Sequence, residues 1–202
     1  MVYGTARDVD LEFVGQVMSV LSGKNVLVTI PKSQYCGEEL VGVRSVLEHE
    51  GARVVVLSRS GQEARGMNQE RFQPDGMIVD WNKQPGVEGK YHAVVLVGGK
   101  GARKSLWDDP IVPQILTDHY RAGSVVGAMG SALVVLARTS LLTGEVPKPE
   151  EESACNELEK LGIVYADCPV TCYGNVVAGQ GAGAVEIFAR TVGDLLSGKK
   201  PS

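Results

Sequence analysis

Apolar and polar positions alternate along the chain between two patterns. Short continuous apolar runs rich in β-branched residues occur at Asn25 to Ile30 (NVLVTI), Arg53 to Leu57 (RVVVL), Ala93 to Val97 (AVVLV) and Ser124 to Ala128. Such runs read as strands buried on both faces of a parallel sheet. Between and after them, apolar residues recur at helical spacing. Glu38 to Glu50 is predicted as a helix with Leu40, Val41, Val43, Val46 and Leu47 facing inward and Gly51 as its C-terminal cap. Pro110 to Ala122, Ser131 to Arg138, Cys155 to Leu161 and Gly183 to Leu196 are predicted helices as well. Gly76 to Trp81 reads as strand-like, and Val164 to Ala178 as short β segments about a tight turn at Gly174-Asn175. Residues 59 to 90 are otherwise irregular. Ahead of the first strand, Phe13, Val14, Val17, Met18, Val20 and Leu21 predict an amphipathic helix over Asp10 to Leu21, stopped at Ser22-Gly23. The expected architecture is a doubly wound α/β fold, a mainly parallel sheet sandwiched by helices. Residues 1–24 form an N-terminal helical extension, 25–197 the domain and 198–202 a tail.

Length and composition narrow this picture. A chain of 202 residues suits one domain with a substantial core. Apolar residues at 44% and charged residues at 22% lie near the globular average and exclude a largely disordered chain. The net charge is -4, and no basic block is interleaved with aromatics, which argues against a nucleic-acid partner. No apolar run approaches the roughly 18 residues that a membrane span needs. Asp8, Asp10 and Glu12 near the start are unlike a secretory signal. A cytoplasmic protein without a membrane partner is expected. Cys36, Cys155, Cys168 and Cys172 form no CxxC pair, and with His49, His92 and His119 they show no metal-ligand spacing. Reduced thiols, with no metal and no cofactor, are the expectation.

Several segments resemble one family in order. NVLVTIPKSQYCGEELVGVRSVLEHEGARVVVLS resembles the opening strand, loop, helix and second strand of ThiJ/PfpI proteins. YHAVVLVGGKG resembles their Y-D-A-L-V-L-P-G-G segment, and TGEVPK the region after their elbow helix. YGNVVAGQGAGAVEIFARTVGDLL resembles their closing D-G-N-x-x-T-S-x-G-P-x-A-x-x-E-F-A entry. The match runs from residue 25 to 197. On this ground the chain is identified as a divergent member of the ThiJ/PfpI (class I glutamine amidotransferase-like) superfamily. The resemblance implies a flavodoxin-like sandwich and a homodimer or larger homo-oligomer, whose interface the N-terminal extension could cover. It also implies that Glu39 matches the family's glutamate and that Cys36 falls on an earlier acidic position. The family's working centre is a strand-to-helix elbow, A-I-C-x-G-P. There the helix N-terminus lowers the thiol pKa and offers N–H groups to an oxyanion. The corresponding segment here is VVGAMGSAL, Val125 to Leu133. Counting from Gly123 and Gly144 puts the nucleophile position at Gly130, and a one-residue shift puts it at Met129. Neither side chain is a nucleophile, and no histidine follows His119.

Other candidates divide between chemistry and structure. Gly130-Ser131-Ala132 resembles the G-x-S-A-G elbow of serine peptidases with this fold, but such a serine needs a base, and no suitable histidine is evident. Ser131 is read first as the N-cap of the following helix. Cys36 borders the site, yet Glu39 one turn away raises a thiol pKa, so an unreactive thiol is the leading reading. Gly98-Gly99 ends a strand and precedes Lys100, Arg103 and Lys104. This is either an anion-binding loop or a tight turn followed by a solvated basic face. Gly179-x-Gly181-x-Gly183 lacks the context of a dinucleotide loop and is read as a close-packed turn. The first functional expectation is a pseudoenzyme that binds a small molecule or a protein in the old active-site cleft. The alternative is a divergent hydrolase or amidase, or a glyoxalase-type lyase, using Glu39 with Ser131 or Cys36.

Overall fold

The computed structural model of the protein describes residues 19–199. One sheet of seven strands organises it: β1 (Asn25–Ile30), β2 (Arg53–Ser58), β3 (Gly76–Met77), β4 (Ala93–Leu96), β5 (Val125–Met129), β6 (Val170–Tyr173) and β7 (Val176–Gly179). Their order across the sheet is β6-β7-β5-β4-β1-β2-β3. Every neighbouring pair is parallel except the β6–β7 hairpin. The helices are α1 (Gly37–His49), α2 (Ala102–Ser105), α3 (Val112–Arg121), α4 (Leu133–Arg138), α5 (Glu152–Lys160) and α6 (Val185–Leu196).

Strand side chains alternate between faces, and both faces are covered. Val26, Val28, Val95 and Val177 pack with Leu40, Val43 and Leu47 of α1 and Phe188, Ala189 and Val192 of α6. Leu27, Val94, Leu96 and Val126 pack on the opposite face, with Ile115 and Leu116 of α3, Leu133 and Leu136 of α4 and Leu158 of α5. This is the doubly wound arrangement that continuous apolar strands require. No helix among the described residues is long and apolar enough to cross a membrane.

The departures from expectation have local causes. Val41 is 65% exposed, because the buried stripe of α1 follows Leu40, Val43 and Leu47, and Val41 lies outside that arc. The strand expected over Gly76 to Trp81 stops at Met77, since β3 is an edge that pairs only with Leu57 and Ser58, and Ile78–Lys83 coils into a 3-10 helix. The loop Pro31 to Gly37 and the irregular region after β2 contribute Ser33–Tyr35, Ala64–Gly66 and Arg71–Phe72 to a second sheet of three short strands. α3 begins at Val112 rather than Pro110, where the Asp109 carboxylate accepts the N–H groups of Ile111 and Val112. Gly51 closes α1 at φ +94, as expected. Most of the predicted Asp10 to Leu21 helix lies outside the described residues. Its last residues are turn-like, and Leu21 is fully buried.

Candidate functional site

In open α/β sheets the carboxyl ends of the strands are where loops converge on ligands. Here the ends of β4, β5 and β7 meet the first turn of α1. Glu39, in that first turn, is only 3% exposed. Its Oε2 accepts the N–H of Gly98 at 2.7 Å. Its Oε1 receives no N–H among the described residues and faces the elbow between β5 and α4.

The elbow turns at Gly130. Met129 is still extended, with its fully buried side chain in the core beside α6. Gly130 has φ +53, a left-handed conformation that disfavours any side chain. Of the two positions that counting leaves open, Gly130 is the one that faces the glutamate: a Cβ there would lie 2.9 Å from Glu39 Oε1 and 3.8 Å from the Gln180 carbonyl oxygen.

Ser131 is not a helix cap. The first turn after the elbow is 3-10, and no side chain caps it. The Ser131 hydroxyl instead accepts the Gly99 N–H at 2.9 Å and donates to the Gly99 carbonyl at 2.8 Å, while its own carbonyl accepts the Trp107 indole N–H at 2.8 Å. The hydroxyl thus pins the loop after β4 to the elbow, and its proton is already given to a carbonyl rather than to a base. The same bonds bear on Gly98 and Gly99. Both N–H groups are committed inside the protein, one to Glu39 and one to Ser131, so neither is free to hold an anion. Lys100 is exposed and lines the cavity, whereas Arg103 and Lys104 lie exposed on α2 away from it. A tight turn followed by a solvated basic face fits this loop. Cys36 is buried, and its N–H bonds to the Gly98 carbonyl at 2.9 Å. Burial first, and then the charge of Glu39, push its thiol pKa up to about 12.

The cavity has a volume of about 400 Å³, within the range of small-molecule sites. Glu38, Glu39, Glu150 and Glu151 line it, with Lys100 the one cation among the described residues. Burial pushes the Glu39 carboxyl up to about 7. The Gly98 N–H and the neighbouring Cys36 thiol oppose the rise, and the negative charges of Glu150 and Glu151 add to it. Glu150, Glu151 and Gln180 were not singled out from sequence. They come from segments distant in the chain, and only the run of three acids at 150–152 hints at them. Among the described residues, no three of His, Cys, Asp or Glu converge closely enough to hold a metal ion. A larger groove of about 900 Å³ runs outside α1 toward Phe72 and shares Glu38 and Asn68 with this cavity.

Comparison with known proteins agrees with the geometry. A structure from Brachyspira murdochii described as a ThiJ/PfpI domain protein superposes with a TM-score of 0.76 at 22% identity, covering 88% of this chain and 100% of that one. At this identity the likeness speaks for the fold. An uncharacterized protein of Methanocaldococcus jannaschii is 31% identical over 176 residues, 85% of this chain and 82% of its own length. The Parkinson disease protein 7 homolog of Danio rerio is 26% identical over 179 residues, 88% of this chain and 92% of its own. The DJ-1/PfpI family model matches residues 24–194, and the chain belongs to that family.

Proposed function

We propose that this DJ-1/PfpI member is a pseudoenzyme that binds a small molecule reversibly in the cleft at Glu39. One observation carries the reading: the residue at the turn of the elbow, facing the buried glutamate, is Gly130, which offers no side chain. The neighbouring candidates do not replace a nucleophile. The Ser131 hydroxyl is engaged on both sides by Gly99, and the Cys36 thiol stays protonated at any physiological pH. Treatment with a fluorophosphonate and with iodoacetamide, mapped by mass spectrometry, tests the reading. Only slow background labelling is expected at Ser131 and Cys36. Rapid stoichiometric labelling of either, lost in Glu39→Gln, overturns it.

A second reading has its own support. A carboxyl with a pKa of about 7 is suited to general acid–base work at neutral pH. On this reading Glu39 moves protons for a hydrolase or lyase reaction that needs no covalent intermediate. Turnover of any small carbonyl compound that disappears in Glu39→Gln, with the fold retained, favours it. The homodimer or larger assembly implied by the resemblance stands as a separate proposal, and light scattering that shows only monomer removes it.

A further inference from the structure

A hairpin beside the cleft carries a carboxyl that neither reading of the cleft uses. Its strands Ala64–Gly66 and Arg71–Phe72 pair antiparallel, and the tip between them bears Met67 and Asn68, which are exposed and line the cleft. The base of the hairpin is fixed. Ala64 is fully buried, and Phe72 packs against the α1 side of the core with the Arg44 guanidinium 5.4 Å from its ring. The tip is held by less. Among the described residues, one backbone bond joins residues 67–69 to the fold beyond the hairpin, the Met67 N–H donating to the Tyr35 carbonyl at 2.9 Å. Gln69 turns at φ +67, a left-handed conformation that is costly for a residue with a side chain.

Glu70 ends the tip. Both of its carboxyl oxygens are buried, and neither has a hydrogen-bond partner among the described residues. The carboxyl lies against Gly37 and Gly66, where a Cβ on either glycine would overlap Oε1. The neighbouring cations are engaged elsewhere, Arg44 with Glu48 at 2.8 Å and Arg71 with Glu63 at 3.3 Å. A carboxyl without a donor is well solvated in water and costly in this slot.

We propose that residues 67–69 are a lid on the cleft, and that the Glu70 carboxyl sets the balance between its shut and lifted forms. With the tip down, as in this structure, Glu70 is stripped of water while Met67 and Asn68 line the cleft. With the tip lifted about Gly66 and Glu70, the carboxyl regains water and the Met67–Tyr35 bond opens. A ligand that touches Met67 and Asn68 favours the shut form, because those contacts exist in that form alone. The lid serves the cleft whether it binds reversibly or turns a substrate over.

Native-state hydrogen exchange on the whole protein in low urea tests this, with the Met67 amide reporting the lid and the Val28 amide of β1 reporting the sheet. The Met67 amide should exchange faster than that of Val28, at a rate that low urea leaves unchanged, the mark of a local opening that exposes little surface. Glu70→Met, which removes the polar group and keeps the length, should slow the Met67 amide about tenfold or more, still without dependence on urea. Glu70→Gln keeps the shape but leaves an amide without partners, and should slow it less. A second measurement reads access: iodoacetamide should label the introduced thiol of Gly130→Cys more slowly when Glu70→Met is added. A Met67 amide with the exchange rate and urea dependence of Val28 overturns the lid, because the tip then opens only with the whole fold. Exchange unchanged in Glu70→Met, or equal labelling with and without it, overturns it as well.

Discussion

A buried titratable side chain from a helix packs at each end of β4, His119 of α3 at the start and Glu39 of α1 at the end, and the two are finished differently. At the start, His119 is fully buried, its Nδ1 hydrogen donated to the Ile115 carbonyl at 2.7 Å and its Nε2 accepting the Tyr91 N–H at 3.2 Å. Those partners fix the neutral tautomer, because one nitrogen must donate and the other accept. Trp81 stands edge-on to the ring at 5.0 Å. At the end of the same strand, Glu39 has one oxygen held by Gly98 and the other turned to Gly130 at the wall of a cavity. A buried polar group with every partner present is part of the frame. One that lines a cavity, with its pKa raised by burial, is where the proposed binding function would be exercised.

The comparison breaks most visibly if His119 is removed. His119→Ala should cost about 3 kcal/mol, since it opens a cavity and strands two backbone groups. Urea denaturation measures it. Glu39→Gln should move stability the other way at pH 8, by about 1–3 kcal/mol, because Gln keeps an acceptor for Gly98 and cannot ionise. A loss of stability in that variant would mean that Glu39 belongs to the frame after all.

pH separates the two ends with opposite signs. Burial holds the His119 pKa below its ordinary 6.5, with Lys90 adding to the drop and the Ile115 carbonyl and Asp118 opposing it. The folded state then binds fewer protons than the unfolded one. Its contribution is complete above pH 6.5 and is lost as pH falls below that value. Glu39 rises from 4.5 to about 7, so the folded state binds more protons between those values. Its contribution is complete below 4.5 and is lost as pH rises to about 7. Stability against pH in His119→Ala should lose the acid-side slope and keep the other, and Glu39→Gln should do the reverse. Urea midpoints from about pH 4 to about pH 9 test this, and unchanged slopes in either variant refute the assignment.

Legibility followed burial. β1, β2, β4 and β5 could be read because strands covered on both faces leave continuous apolar runs, and α1 because three of its five apolar positions form one buried stripe. The strands at Ser33–Tyr35, Ala64–Gly66 and Arg71–Phe72 left no such trace, as two or three paired residues at the periphery carry no periodicity. At the candidate site, order and spacing within the resemblance picked out Glu39 and left Gly130 and Met129 open at the elbow, and the turn at Gly130 separates the two. The role of Ser131 was not legible, because a hydroxyl beside both a helix start and a glycine loop has two outlets, and only the packing of Gly99 against the elbow selects one. Glu150 and Glu151 reach the cavity through tertiary folding that no local pattern records.

The smallest expected effect lies at Gly130 itself. At φ +53, an alanine carries strain of about 1 kcal/mol. Its Cβ would sit 2.9 Å from Glu39 Oε1, so the carboxylate must yield by a few tenths of an ångström. A modest drop in thermal midpoint with a native spectrum is therefore expected. Gly130→Cys adds a thiol to the same geometry. Iodoacetamide should then label the introduced thiol faster than Cys36, because the new group stands at the elbow ahead of the N–H groups of the first helical turn, which favour a thiolate, while burial and Glu39 keep the Cys36 thiol protonated. Labelling no faster than at Cys36 would mean that the elbow is closed to solvent, and the contrast between the two ends of β4 would vanish.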